Sequence, residues 1–215
     1  YRLYLSIARP DNLFITDLQE KFQTAGIEVK NSNLGQLPET TWFHYPSDYL
    51  GDIVHSLNVR SDNLYAESVL RLLSLSAHEK GSAEKGIDII RKYWQNYEAD
   101  SLELFMYDGS GLARNNKVSA KYLNCVLKET ARDSLIGEYF VQTLPLAGKE
   151  GSVATIMKHG ELPGELRLKS GSMSDVHAYA GYYTTPQNRY AIVVMINNYT
   201  CTRAQLKQKI STLLT

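Results

Sequence analysis

One short stretch of the sequence carries residue types that together bind a carboxylate. Residues 169–174 read Lys-Ser-Gly-Ser-Met-Ser, so an ammonium group, hydroxyl groups and a glycine are close together. An ammonium and a hydroxyl group hold a carboxylate, and a glycine lets a second backbone pair closely with a strand. Because edge strands also carry lysine to discourage aggregation, this stretch alone is only a hypothesis.

The segments around this stretch predict how it is positioned. Three apolar-alternating segments follow one another through short connections, at residues 165–171, 176–183 and 190–198. This pattern is typical of an antiparallel meander. Thr202 is expected to cap a last amphipathic helix, residues 202–214, which carries Leu206, Ile210 and Leu213 on one face. We therefore expect a continuous antiparallel sheet that packs on the C-terminal helix.

Apolar residues at helical spacing predict several helices upstream of the sheet. The first carries Phe14, Leu18 and Phe22 and ends at Gly26, and a short strand at residues 27–29 follows it. Serines are favoured at helix N-caps, and we expect them to begin most of the later helices. These serines are Ser47, Ser82, Ser119, Ser134 and Ser152.

The composition gives no sign of a nucleic-acid or membrane partner. Lys and Arg number 23 in the 215 residues, as do Asp and Glu, so no excess charge would attract a phosphate backbone. Hydrophobic residues make up 43% of the chain, enough for a core, and no run is apolar enough to span a bilayer. The histidines and cysteines show no metal-ligand or redox spacing. We predict no metal, no cofactor, and buried thiols at Cys125 and Cys201.

Two polar stretches interrupt the helical pattern. Ser61-Asp62-Asn63 separates two predicted helices, where such residues serve as caps, and we expect Asp62 to do so. The run Asp108-Gly109-Ser110-Gly111 predicts a rigid turn in which the glycines adopt positive φ. Arg114 follows this turn, where its guanidinium group either forms a surface ion pair or binds a carboxylate through two hydrogen bonds.

Four stretches, taken in order, resemble the motifs of one enzyme family. They are Ser61-Asp62-Asn63-Leu64-Tyr65-Ala66-Glu67, Asp108-Gly109-Ser110-Gly111-Leu112-Ala113-Arg114-Asn115-Asn116, Leu144-Pro145-Leu146-Ala147-Gly148 and Lys169-Ser170-Gly171-Ser172. Together they look like the C-terminal part of the catalytic domain of the penicillin-binding D-alanyl-D-alanine carboxypeptidase/endopeptidase family, the S13 or DacB-like class C group. The resemblance implies an α/β fold of the α+β type, β-lactamase/DD-peptidase-like, with an antiparallel sheet flanked by helices and incomplete on its N-terminal side.

The resemblance implies acyl transfer from peptides that end in D-Ala-D-Ala, through a serine acyl-enzyme. Ser61 would relay a proton to the leaving nitrogen, and Asn63 would bind the peptide amide. Lys169 and the Ser170 hydroxyl would hold the terminal carboxylate. The backbone N–H of Ser172 would supply half of the oxyanion hole.

The resemblance also implies how the substrate side chain is bound. Arg114 and Ser174 would receive a free carboxylate at the end of a diaminopimelate-type stem peptide, with Met173 as an apolar wall. Leu112 and Gly171 complete the expected binding residues. Peptidoglycan stem peptides and β-lactam antibiotics are the implied partners, and the implied location is periplasmic or extracytoplasmic, in the bacterial cell envelope.

Two departures from the family pattern bear on activity. The chain has Lys-Ser-Gly where the family has Lys-Thr-Gly, which keeps the hydroxyl but loses the methyl that stiffens its rotamer. No Ser-x-x-Lys, the family's nucleophile motif, occurs before Ser61. The run Ser82-Ala83-Glu84-Lys85 has that spacing but lies after Ser61, and we interpret Ser82 as a helix cap.

The strand-like start at Tyr1, which is not a methionine, leads us to expect a piece of a longer protein. Residues 1–215 would form the C-terminal part of the transpeptidase-like catalytic domain, with residues 1–10 ending an inserted domain. Such a chain would be inactive without its N-terminal part, and its last strand would have an open edge that favours self-association. A serine DD-peptidase is the favoured function, a non-catalytic relative or wall-binding module is the alternative, and a β-lactamase or esterase is a weaker third.

Overall fold

The computed structural model describes residues 10–28, 46–77, 81–97, 99–157 and 162–214. The chain divides into two compact units, Tyr1–Pro46 and Ser47–Thr215. In the first unit, helix α1 spans Pro10–Thr24 and is followed by Gly26 with φ +74°, as predicted. Residues 27 and 28 are not in a strand, contrary to the prediction; residue 29 and the strand-like start of the chain lie outside the described residues.

The helices of the second unit largely match the sequence pattern. They are α2 (Leu50–Arg60), α3 (Asn63–Ser76), α4 (Ala83–Trp94), α5 (Ala120–Arg132) and α6 (Gly137–Thr143). The predicted caps of α4 and α5 are confirmed, because the Ser82 and Ser119 side chains accept hydrogen bonds from the N–H groups of Lys85 and Tyr122. Ser82 therefore begins a helix, as we interpreted it from the sequence.

The predicted helix starts at the other three serines were wrong. The N-cap position of α2 is Tyr49, two residues after Ser47, and the N–H groups of Asp52 and Ile53 donate to the Tyr49 carbonyl. Ser134 does not begin α6, because the Asp133 carboxylate accepts the N–H groups of Leu135 and Ile136 and holds the chain in a turn before the helix. Ser152 lies inside a short 3₁₀ turn, Gly151–Val153, rather than at the start of an α-helix.

The predicted antiparallel meander is confirmed. Strands β3 (Glu165–Met173), β4 (Val176–Thr184) and β5 (Arg189–Asn197) pair in chain order, with Lys169 opposite Ala180. Each boundary differs from its prediction by two residues at most. A separate short hairpin joins β1 (Leu104–Phe105) to β2 (Lys117–Val118). The mixture of helices with antiparallel sheet confirms the α+β fold class.

The main core lies between the sheet and the C-terminal helix α7, Arg203–Leu214. The Thr202 and Gln205 side chains bond to each other's backbone N–H groups in a capping box, so Thr202 caps this helix as predicted. Leu206 and Ile210 are buried, but Leu213 is 72% exposed and does not share their face. The buried side chains that pack with them include Val153, Ile156, Leu166, Leu168 and Tyr179. Cys125 and Cys201 are not joined in a disulfide, and both are half-buried rather than buried as predicted; Cys201 packs against the main core.

Candidate functional site

The sequence Ser61-Asp62-Asn63 forms the corner between α2 and α3. Ser61 ends α2 in the left-handed region, with φ 53° and ψ 51°. Non-glycine residues seldom adopt this conformation, and they do so most often where the surroundings hold them in place. Asp62 is the N-cap of α3, and its side chain accepts the Tyr65 N–H at 3.1 Å, as predicted. Asn63 is the first residue of α3 and is exposed.

Lys169 joins this corner to strand β3. Its Nζ donates to Ser61 Oγ at 2.8 Å and to the Ser170 carbonyl oxygen, also at 2.8 Å. The side chain of Lys169 is therefore fixed between two motifs that lie 108 residues apart in sequence. Burial lowers the pKa of Lys169 below its ordinary value of 10.5, which makes its proton easier to transfer to a neighbouring hydroxyl.

The outer edge of β3 is half covered. Residues 145–147 pair with it, since Leu168 N–H donates to the Pro145 carbonyl and Ala147 N–H donates to the Leu166 carbonyl. Backbone groups of alternate residues in an antiparallel strand point to the same side, so Ser170 and Ser172 also present theirs to this edge. Among the described residues, no atom lies within 4 Å of the place where a Cβ of Gly171 would be. In the part of the chain that the structure describes, no backbone group bonds to the N–H groups of Ser170 and Ser172 at this edge, while the Ser170 carbonyl accepts from Lys169 Nζ.

The Ser170 side chain has a partner that the sequence did not indicate as part of the site. Ser152 Oγ lies 2.6 Å from Ser170 Oγ, whereas Lys169 Nζ reaches Ser61. Consecutive side chains of a strand leave opposite faces, so these neighbours meet different parts of the protein. Only the nearness of Ser152 to Leu144-Pro145-Leu146-Ala147-Gly148 could have drawn attention to it.

The turn at residues 108–111 is held by two carboxylates. Glu67 Oε1 accepts the N–H groups of Gly109 and Ser110 at 3.1 and 3.0 Å, and the Ser110 hydroxyl at 2.7 Å. Asp108 accepts the N–H groups of Gly111 and Ala113 and the Asn116 side-chain amide. The turn is rigid, as predicted, and it is anchored to α3 through Glu67.

The prediction of positive φ at both glycines of this turn was half wrong. Gly111 has φ +77°, but Gly109 does not have a positive φ. A Cβ at Gly109 would lie 2.7 Å from the Ala66 carbonyl oxygen, so this glycine allows close packing on α3. Sequence patterns do not reveal such a packing requirement.

The residues predicted to bind the substrate side chain lie in two separate segments, one after the turn at residues 108–111 and one at the end of β3. Leu112 is 62% exposed and Arg114 is exposed, both after the turn at residues 108–111. Met173 is half-buried at the end of β3, and exposed Ser174 begins the turn into β4. Their joint role in binding a carboxylate stays a prediction.

A buried histidine lies behind the end of β3. His177 pairs with Ser172 across the two strands and is 4% exposed. Its Nε2 lies 2.8 Å from the Tyr179 hydroxyl oxygen, and burial raises the pKa of that tyrosine to about 12. Burial, together with the positive charges of Lys207 and Arg203, lowers the pKa of His177 below 6.5. The ring is therefore neutral near pH 7 and supports the strand as a packed side chain.

Within the ranges that the structure describes, no three side chains of the metal-binding types lie close enough to hold an ion. The same ranges contain no helix with the length and apolar character needed to cross a membrane.

The sequence profile of the D-Ala-D-Ala carboxypeptidase 3 (S13) family matches residues 1–214 of the chain. A D-alanyl-D-alanine carboxypeptidase DacB from Haemophilus influenzae is 25% identical over 218 residues, which cover 97% of this chain and 45% of the relative. A penicillin-sensitive carboxypeptidase A from Dictyostelium discoideum is 24% identical over 184 residues, which cover 81% of this chain and 35% of the relative.

Solved structures show the same fold. Penicillin binding protein 4 from Haemophilus influenzae has a TM-score of 0.79 at 24% identity, over 97% of this chain and 49% of that one. A predatory peptidoglycan endopeptidase from Bdellovibrio bacteriovorus has a TM-score of 0.51 at 21% identity, over 76% of this chain and 42% of that one. The chain therefore spans between about a third and a half of the length of these proteins.

Proposed function

Because this chain belongs to the D-Ala-D-Ala carboxypeptidase 3 (S13) family, we propose that it is part of a serine D-Ala-D-Ala carboxypeptidase/endopeptidase of peptidoglycan metabolism. In this proposal, residues 1–215 form the C-terminal part of the catalytic domain, and residues 1–10 end an inserted domain. The N-terminal part of the same protein is then a partner of this chain and supplies the nucleophilic serine. The protein acts outside the cytoplasm, in the periplasm or elsewhere in the cell envelope.

One observation carries the proposal: the contact of 2.8 Å between Lys169 Nζ and Ser61 Oγ. A lysine and a serine in direct contact form a proton relay, and the lowered pKa of Lys169 suits this role. A lysine placed at a strand edge only to discourage aggregation would extend into solvent. The Lys169 side chain instead donates to Ser61, whose backbone has left-handed dihedral angles at the corner between α2 and α3.

In this proposal each group has a role in acyl transfer. The nucleophilic serine attacks the penultimate carbonyl of a D-Ala-D-Ala peptide and forms an ester, and the D-alanine amine leaves after it has gained a proton. Ser61 delivers that proton, and Lys169 restores it. Asn63 binds the peptide amide on the acyl side. The Ser172 N–H, which faces the open edge of β3, stabilises the developing oxyanion.

The terminal carboxylate of the substrate would lie at the same edge. Lys169 supplies the positive charge and the Ser170 hydroxyl supplies a hydrogen bond. Gly171 allows the peptide backbone to pair with β3. Stem peptides of peptidoglycan and β-lactam antibiotics both carry such a carboxylate. One of the related structures, penicillin binding protein 4 from Haemophilus influenzae, is a complex with a β-lactam, which supports this part of the proposal.

The proposal is tested by D-alanine release from a pentapeptide that ends in D-Ala-D-Ala, with the natural full-length protein. We expect Ser61→Ala and Lys169→Ala each to lower kcat/KM by about 10²- to 10⁴-fold, the contribution of a positioned proton-transfer group. Ser82→Ala is the matched control, since Ser82 caps α4, and it should retain the activity. Full activity of Lys169→Ala would refute the assignment.

A further inference from the structure

Ser152 lies beside the proposed carboxylate site without belonging to any motif assigned to catalysis. We propose that Ser152 is a positioning residue that directs the Ser170 hydroxyl toward the terminal carboxylate of the substrate. This inference rests on the proposed function, because it concerns the same site. It begins from the distance of 2.6 Å between the two hydroxyl oxygens, which is within the range of an O–H···O hydrogen bond.

The loop that carries Ser152 is built to hold it in place. The residue before it, Gly151, has φ +50°, and a Cβ there would lie 2.2 Å from the Val59 carbonyl oxygen, so only glycine lets the loop pack on α2. The residue after it, Val153, is fully buried in the main core. Ser152 is thus held in place between Gly151, which packs on α2, and Val153, which is buried in the core.

Hydrogen bonds inside the loop add to this rigidity. The Glu150 carboxylate accepts the Leu146 N–H at 2.7 Å, and the Gly148 N–H donates to the Val153 carbonyl at 3.1 Å. The start of the loop pairs with β3 at Leu166 and Leu168, two residues before Ser170. The loop therefore places the Ser152 hydroxyl against β3 with little freedom.

Counting protons assigns the direction of the Ser152–Ser170 bond. A carboxylate only accepts hydrogen bonds, and each serine hydroxyl has one proton to donate. If Ser170 donated to Ser152, its proton would not be available to the substrate. When Ser152 donates instead, Ser170 accepts through a lone pair, and its own proton is directed to the carboxylate. Ser152 acts through Ser170 in this arrangement and does not itself touch the substrate.

The test compares acylation of the natural full-length protein by benzylpenicillin and by benzylpenicillin methyl ester, which lacks the free carboxylate. The measured quantity is the ratio of the two second-order acylation rate constants. We expect Ser152→Ala to lower this ratio by about 3- to 10-fold, which corresponds to one neutral hydrogen bond. Ser152→Thr keeps the hydroxyl and should restore the ratio. Ser134→Ala, at an exposed serine before α6, is the matched control and should not change it.

A double variant separates positioning from direct contact. If Ser152 acts through Ser170, Ser152→Ala should have no further effect on the ratio in a Ser170→Ala background. Additive losses, an unchanged ratio in Ser152→Ala, or equal losses on both compounds would each overturn the inference while leaving the proposed function in place. Absence of acylation of the wild-type protein by either compound would overturn the proposed function, and the inference with it.

Discussion

The loop that presents Leu112 and Arg114 depends on one side chain of α3, and replacing it gives a direct test of the site's architecture. Glu67 Oε1 accepts two backbone N–H groups and one hydroxyl from residues 109 and 110. Glu67→Ala removes all three bonds and leaves the two amides of the turn without an acceptor. We expect the turn to open locally much more often, while the helices around it stay folded.

The size of the effect follows from the number and type of these bonds. A hydrogen bond to a charged group contributes about 1.5–3 kcal/mol, and three bonds that share one oxygen do not add. We therefore expect Glu67→Ala to lower the free energy of local opening by about 2–3 kcal/mol. Since about 1.4 kcal/mol corresponds to a factor of ten, the amides of Gly109 and Ser110 should exchange with solvent about 30- to 150-fold faster.

Hydrogen exchange measured by mass spectrometry on the natural full-length protein provides the assay. Glu67→Gln keeps an acceptor oxygen but loses the charge, and it should give an intermediate increase in exchange. Glu84→Ala, at an exposed glutamate in the first turn of α4, is the control and should leave residues 109 and 110 protected. Unchanged exchange of these two amides in Glu67→Ala would show that Glu67 does not hold the turn.

Three further predictions concern other parts of the protein. Because burial lowers the pKa of His177 below 6.5, this side chain binds a proton more readily in the unfolded chain, and the free energy of unfolding should fall as the pH drops below about 6.5. Urea unfolding at about pH 7.5 and pH 5 should show a smaller difference between the two pH values in His177→Gln than in the wild-type protein. Equal differences in the two proteins would contradict the assignment. Arg114→Ala in the full-length protein should weaken peptides with a free side-chain carboxylate by about 10- to 150-fold, the loss of a charged contact of about 1.5–3 kcal/mol, while sparing simple D-Ala-D-Ala esters; equal losses in kcat/KM on both substrates would point to a folding defect. The 215-residue chain should associate through the edge of β5, which no strand covers in the part of the chain that the structure describes; a clean monomer at high concentration in light scattering would argue against this.

Much of the fold could be predicted because its signals are local. The alternation of apolar residues across β3, β4 and β5 has the period of two that sheets require, and the turns between these strands are short. Thr202 and Gln205 have the spacing of a capping box. The serine caps were less reliable, because a serine caps a helix only if the next amides turn toward it. Asp133 takes up those amides before α6.

The site could be predicted only in part, because its contacts are not local. The contact between Lys169 and Ser61 joins residues 108 positions apart, and only the resemblance to a family connected them. The Ser152–Ser170 pair and the Glu67 anchor arise from the packing of loops against β3 and α3, and nothing in the surrounding sequence indicates them. Gly109 likewise reflects a close approach of two backbones rather than a turn conformation.

We propose that this chain supplies the relay, the carboxylate-binding groups and one oxyanion donor to a serine acyl-enzyme site whose nucleophile lies outside residues 1–215. Intact-mass spectrometry after incubation with benzylpenicillin tests this claim most directly. We predict one covalent adduct on the natural full-length protein, on a serine outside these residues, and none on the 215-residue chain. Loss of the nucleophile alone lowers turnover of a serine enzyme on the order of 10⁶-fold. A stoichiometric adduct on the 215-residue chain would contradict the account and would make Ser61 or Ser82 the nucleophile.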